Sequence, residues 1–253
     1  MPTAGDQGRG LPGNRTARAP PSRSLPRVAG PLDLGAVRAI LTDLDGTLID
    51  STEATERVWN GWKRDRGLPV GDRHPHGIPA REVVEMLAPQ LDAAEEAAEL
   101  ERREIADTGG VVALPGAPEL LAPEGAWGLE IAIVTSCTAL LAETRLRVAE
   151  LAPPSIVVTA ERTKRVKPNP DPYLLAAELL GLEPADCLVL EDAPAGVAAG
   201  RAAGMQVVAV TTSHAAEDLA AAHLLVAHVA EFLAMLPVRV GPASVELLGD
   251  ESI

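Results

Sequence analysis

The stretch Thr42-Asp43-Leu44-Asp45-Gly46-Thr47-Leu48-Ile49-Asp50-Ser51 follows the apolar run Val37-Arg38-Ala39-Ile40-Leu41 and places two carboxylates at its end. Read as a buried strand over residues 37–44, the run alternates its side chains with a period of two, so Asp43 and Asp45 point to the same side. Two acids that close repel, and each is better hydrated alone. The pair therefore requires a cation, a shared proton or a ligand that needs both.

Outward from this stretch the pattern turns helical. Thr55, Val58, Trp59 and Trp62 share one helical face at i, i+3, i+4 and i+7, and further helical stretches follow over 80–87 and 93–105, with no clear strand across 52–113. After Pro115-Gly116, short apolar runs at 129–134, 156–158, 188–190 and 206–210 read as buried strands, separated by helical runs at 138–150, 172–180 and 194–203. Such alternation predicts an α/β fold with a Rossmann-like parallel sheet covered on both faces. The expected organisation is a core of residues 36–51 and 114–236 with a helical cap of 52–113 inserted directly after the acid pair. There it would sit over the carboxyl ends of the strands, where open α/β sheets bind ligands. Residues 1–35, rich in Pro, Gly and Arg, read as a disordered tail; an organelle leader is the alternative, though the prolines spoil an amphipathic helix. Residues 237–253 read as a mobile C-terminal tail.

The 253 residues are 47% apolar, enough for a real core, but only 2% aromatic, so that core is packed from Ala, Val, Leu and Ile. A net charge of -14 opposes broad contact with nucleic acid or an anionic membrane. No apolar run approaches the ~20 residues a membrane helix needs. Cys137 and Cys187 show no metal or redox spacing and read as small buried packing residues, with a reducing cytoplasm the simplest setting. The expected state is a monomer or weak dimer.

Three more strand ends carry polar groups. Val134 runs into Thr135-Ser136 before a helix starting near Thr138, where hydroxyls and free backbone N–H groups welcome an anion or simply cap the helix. Lys167 heads Lys167-Pro168-Asn169-Pro170-Asp171-Pro172-Tyr173, a loop stiffened by three prolines in which Asp171-Pro172 resembles an N-cap and first turn; a solvated surface lysine is the plain alternative. Leu190 ends in Glu191-Asp192, a second acid pair, followed by small residues through Gly204. Two acid pairs on one sheet edge would suit a hard divalent cation, Mg²⁺ by default, though acids also serve as helix caps.

In that order and on those strand ends, Asp43-x-Asp45-Gly46-Thr47-Leu48, Thr135, Lys167-Pro168 and Glu191-Asp192 resemble the haloacid dehalogenase superfamily of phosphatases and mutases, over residues 37–236. The insert is similar to the helical cap of one branch, and VTSCT, KPNPDPYLLAAELLG and EDAPAGVAAGRAAGM look most like phosphatases of small sugar and polyol phosphates, such as glycerol-3-phosphate and 2-deoxyglucose-6-phosphate phosphatases. The resemblance implies that Asp43 is the nucleophile and forms an aspartyl phosphate, while Asp45 protonates the leaving alkoxide and later activates water. It implies that Thr135 and the Ser136 backbone hold phosphate oxygens and that Lys167 offsets charge on phosphate and Asp43. Mg²⁺ would bind Asp43, the Asp45 main-chain carbonyl and Asp192, with Glu191 either a ligand or the partner of Lys167. Thr42 and Val166 replace an aromatic and a Gly common in the family, and neither change removes a functional group.

Specificity is expected from His74-Pro75-His76-Gly77-Ile78-Pro79-Ala80-Arg81, where His76, Gly77 and Arg81 would reach a sugar hydroxyl or phosphate oxygen; an exposed loop is the alternative. Trp59 and Trp62 read as cap core. Competing functions are a phosphosugar mutase, disfavoured by Thr55 where such enzymes commonly carry a His, and a receiver-like signalling phosphoacceptor. A receiver would carry its phosphoacceptor on a middle strand and no long helical insert. A non-catalytic module on the same fold would not need every polar group the chemistry needs.

Overall fold

The computed structural model describes residues 32–71, 78–122 and 128–236. Its strands are β1 (Ala39–Thr42), β2 (Ile49–Asp50), β3 (Val112–Ala113), β4 (Glu130–Val134), β5 (Ile156–Val158), β6 (Cys187–Glu191), β7 (Gln206–Val210) and β8 (Leu224–Val226). The helices are α1 (Thr52–Asp65), α2 (Ala80–Leu87), α3 (Ala93–Ala106), α4 (Ala117–Leu120), α5 (Ala139–Val148), α6 (Asp171–Leu180), α7 (Pro194–Ala202) and α8 (Val229–Leu233). Six strands form one parallel sheet in the order β5-β4-β1-β6-β7-β8, the Rossmann-like architecture expected from the alternation.

Register decides where the chemistry lies. Thr42 pairs with Ile133 on one side and Leu190 on the other, so Asp43 leaves the sheet between the ends of β4 and β6. The strand order reverses around β1, and that reversal opens a crevice at the carboxyl ends of the strands. Alternation splits the core in two. Ile40, Ile133, Leu188 and Val208 face Leu146 of α5 and Phe232 of α8, whereas Leu41, Val134, Val189 and Val207 face Tyr173 and Ala176 of α6 and Val197 of α7. With so few rings available, close approach replaces bulk: a Cβ on Gly200 of α7 would lie 3.0 Å from Val207 and 3.1 Å from Val189.

The insert has its own apolar core, built from Val58, Trp59, Trp62, Val83, Val84, Ala88 and Leu100. The two indoles meet edge to face with centroids 5.7 Å apart, as their helical spacing predicts. Their N–H groups donate to Glu104 at 3.2 Å and to Glu96 at 2.6 Å. Asp92 caps α3 by accepting from the amides of Ala94 and Glu95. The chain enters and leaves the insert through an antiparallel pair, with Ile49 opposite Ala113 and Asp50 opposite Val112. This corrects the expectation of no strand across 52–113: β3 has two residues, too few for alternation to register.

Other elements differ in extent. β1 is shorter than 37–44, and β8 and α8 add an edge and a cover that the apolar pattern alone did not single out. Residues 32–35, expected as the end of the leader, lie against the core. Leu32 and Leu34 pack on the first face and the Asp33 amide donates to the Gln206 side chain at 2.7 Å. Residues 1–31 and 237–253 lie outside the described chain. Among the described residues no helix is long and apolar enough to cross a membrane.

Gly116 adopts φ 94° ahead of α4, and a Cβ there would overlap the backbone of Val229 and Ala230 at the start of α8. Gly204 has a similar φ of 78° with open space around it. Gly116→Ala is expected to cost about 3 kcal/mol and Gly204→Ala about 1 kcal/mol, since both meet left-handed strain but only the first meets a backbone clash. Urea unfolding midpoints check this; equal losses would show that the α4–α8 contact is not tight.

Candidate active site

The site is built on the ends of β1, β4 and β6. Lys167 lies at its centre: its Nζ donates to Asp43 Oδ1 at 2.5 Å, to Glu191 Oε1 at 2.6 Å and to the Val134 carbonyl at 2.9 Å. The side chain is 2% exposed, which removes the reading as a solvated surface lysine. Tyr173 supports it from α6, with its ring centroid 5.2 Å from Nζ and its hydroxyl donating to Glu191 Oε1 at 2.8 Å. Asp171 does not cap α6 as expected; it is the first helical residue and its carboxylate accepts from Arg165.

Glu191 is satisfied on both oxygens. Oε1 accepts from Lys167 and Tyr173, and Oε2 accepts from the amides of Asp192 and Ala193, at 3.0 and 3.2 Å, where the chain turns into α7. Gly196 lets the helix pass this close, because a Cβ there would overlap the Glu191 carboxylate. Asp192 accepts from Thr47 Oγ1 at 3.3 Å and from Ser213, while Thr212 donates to the Gly46 carbonyl. Gly46, at φ 84°, carries no Cβ to collide with Asp192.

One oxygen each from Asp43, Glu191 and Asp192 lies within 4.8 Å of the others, and all three residues are buried. Burial pushes the Asp43 carboxyl well above the usual carboxylate range, Lys167 opposing and Glu191 adding to the rise. Burial and the neighbouring Glu191 charge push Asp192 up to about 8. For Lys167, burial disfavours the ammonium, but Asp43 and Glu191 outweigh it and keep the group charged. With all three carboxyls ionised, one ammonium leaves two negative charges unmatched, a deficit that a divalent cation fits. The acidic cluster can therefore hold a divalent metal.

Asp45 stands apart from this cluster. Its Oδ1 accepts from Ser51 at 2.6 Å, and its Oδ2 from Arg145 at 2.8 Å and from the Cys137 thiol at 3.0 Å. Cys137 packs against the core as expected but is half-buried and is also a neighbour of the acid; Cys187 is buried, as expected. Burial raises the Cys137 thiol, with Asp45 adding to the effect, so the sulfur carries its proton and donates. Above Asp43 and Asp45 opens a cavity of about 390 Å³ walled by Thr135, Ser136, Cys137 and Arg145 from the core side and by Thr55, Trp59, Arg81, Glu101 and Glu104 from the insert. Thr138 caps α5 through the Leu141 amide and also donates to Glu101 across the cavity.

The structure thus brings Asp43, Asp45, Thr135, Ser136, Lys167, Glu191 and Asp192 to one place. Arg81 borders the cavity but is exposed and paired with Glu85 at 3.1 Å. His76 and Gly77 lie outside the described residues. Ser51, Arg145, Tyr173 and Ser213 stand beyond the expected set. For Arg145 a signal exists in the sequence: it falls four residues after Leu141 and three after Ala142, on the buried stripe of α5, where a charge needs a partner.

Comparison with known proteins agrees with this arrangement. The chain is 46% identical over 178 residues to hexitol phosphatase A of Escherichia coli (strain K12), covering 68% of this chain and 82% of that one. It is 32% identical over 207 residues to 2-deoxyglucose-6-phosphate phosphatase 2 of Saccharomyces cerevisiae, covering 71% and 82%. Among solved structures, CbbY from Rhodobacter sphaeroides in complex with phosphate superposes with a TM-score of 0.69 at 25% identity, over 79% of this chain and 99% of that one. The sequence profile of the haloacid dehalogenase-like hydrolases matches residues 37–204, and with the strand-end constellation in place the chain belongs to that family.

Proposed function

We propose that the protein is a Mg²⁺-dependent phosphatase that hydrolyses a small sugar or polyol phosphate monoester through an aspartyl phosphate on Asp43. The observation that carries this reading is the buried Lys167 ammonium held against Glu191 and against Asp43, which lines the cavity. A carboxylate approaching a phosphate dianion is repelled, and a fixed cation beside it reduces that repulsion. The similarity to hexitol phosphatase A and 2-deoxyglucose-6-phosphate phosphatase 2 supports the substrate class. So does the insert's wall, where the Glu101 carboxylate suits a hydroxyl donor and opposes a second phosphate.

In the first step an Asp43 oxygen attacks phosphorus, the bond to the leaving oxygen breaks, and Asp45 gives that oxygen its proton. In the second, Asp45 takes a proton from water as it attacks phosphorus, and inorganic phosphate leaves with Asp43 restored. Thr135 and the Ser136 backbone hold phosphate oxygens at the N-terminal end of α5. Asp43, Asp192 and the Asp45 main-chain carbonyl would hold Mg²⁺, which when bound supplies positive charge against phosphate and Asp43. Glu191, with both oxygens engaged by Lys167, Tyr173 and backbone amides, serves as the positioner of Lys167 rather than as a ligand. The helical insert over 52–113 acts as the cap.

Phosphate release from a panel of hexitol, glycerol and hexose phosphates, with Mg²⁺ or EDTA, tests the reaction. The parent is expected to release phosphate only with Mg²⁺, and Asp43→Asn to lose activity by about 10⁴-fold or more, as expected for a lost nucleophile. Turnover that needs a bisphosphate activator and releases little phosphate would identify a mutase instead.

Metal binding has its own readout. Saturating Mg²⁺ is expected to raise Tm by about 5 °C or more, and Asp192→Asn to abolish that shift, since a cation bound only by the folded chain stabilises it. An unchanged shift in Asp192→Asn would remove that residue from the metal site.

A further inference from the structure

Arg145 projects from α5 into the site with 6% of its surface exposed, and its guanidinium connects three parts of the chain. Nη1 reaches Asp45 Oδ2 at 2.8 Å and Cys137 Sγ at 3.1 Å. Nη2 donates to Thr55 Oγ1 of α1 at 3.0 Å and lies 3.6 Å from Glu104 Oε1 of α3, the same oxygen that accepts from Trp59. Asp45 is therefore fixed on one oxygen by Ser51, at the entry to the insert, and on the other by an arginine that also touches Cys137 and whose Nη2 contacts lie in the insert. None of these bonds is needed to hold the sheet, and a buried arginine without acids beside it would destabilise the fold.

We propose that Arg145 is a positioning residue: it sets the orientation of the Asp45 carboxylate toward the leaving oxygen, and it is itself aimed from the insert by Thr55 and Glu104. The assignment rests on the reading of Asp45 as proton donor. It predicts dependence on the leaving group. An alkoxide needs a proton as it departs, whereas p-nitrophenolate leaves without one, so a misplaced Asp45 slows the first reaction selectively.

The experiment compares the parent, Arg145→Met, Arg145→Lys and Asp45→Asn in steady-state turnover of a hexitol phosphate and in the first-turnover burst of p-nitrophenolate from p-nitrophenyl phosphate. Arg145→Met is expected to lower kcat on the hexitol phosphate about 10²-fold with KM and the burst rate each within about threefold of the parent, and Arg145→Lys to recover about tenfold of the loss. Adding Glu104→Gln to Arg145→Met is expected to lower kcat no further, because the two act through one carboxylate. Equal slowing of turnover and burst would show a merely structural role and overturn the proposal. A raised KM at unchanged kcat would do so too, by making Arg145 a substrate contact. Asp45→Asn separates the premises: if it shows no leaving-group dependence, the reading of Asp45 fails; if it shows dependence that Arg145→Met lacks, the assignment of Arg145 fails.

Discussion

A single ammonium group holds the site together. Lys167 Nζ bonds two carboxylates and a strand carbonyl in a place where water is excluded, so each bond carries part of the balance between Coulomb attraction and desolvation. Around it the fold supplies what a buried charge requires. Prolines stiffen the loop that delivers the lysine, and Tyr173 takes up the near side of Glu191. The first amides of the turn into α7 take the far side, and Gly196 clears the space that makes this possible. The parallel register of β4, β1 and β6 then brings Thr135, Asp43 and Glu191 to neighbouring strand ends without any one of them being close in sequence to the others.

The balance of charge in this cluster also explains why its acids depart from ordinary behaviour. Asp43 and Asp192 are raised because burial penalises carboxylates and one lysine cannot serve three of them. A site assembled for stability alone would replace such a group with well-packed apolar residues, which are neutral or better in the same volume. The excess of acid is of the kind that a divalent cation would offset.

Much of this was legible from sequence because strand ends in a parallel sheet carry their own signal. An apolar run that stops at acids, as at Leu41 and Leu190, or at hydroxyls, as at Val134, marks both the element and its polar end. The prolines alone left Lys167 open to the reading of a surface lysine, and the resemblance to the family decided it. Ser51, Ser213 and Tyr173 were not legible, because each stands inside a stretch with an adequate local explanation: a helix start, a loop and a buried helical face. The identity of their partners is a matter of tertiary register, with Tyr173 18 residues from Glu191 and Ser213 21 from Asp192. For Cys137 packing was half of the answer, since it does lie against the core. A small apolar side chain after a strand reads as packing, and only the arrival of Asp45, 92 residues away in sequence, gives its thiol a partner. β2 and β3 escaped because pairs of two residues have no period to detect.

The boundary between insert and core differs in kind from either interior. Each side has its own apolar cluster: two on the faces of the sheet, and one around Trp59 and Trp62 in the insert. Across the cavity the contacts given by α5 are polar: Thr138 to Glu101, and Arg145 to Thr55 and Glu104. The Arg145 contacts are buried, so losing one partner strands the other away from water. At the base of the insert the join is apolar instead, where Ala54 and Val111 pack into the first face's core. Arg145 is common to both layers: its Nη1 meets Asp45, and its Nη2 meets Thr55 and approaches Glu104. The acid at the end of the opening stretch is thereby placed by the sheet and gripped by Ser51, Cys137 and Arg145, the last of which reaches on into the insert.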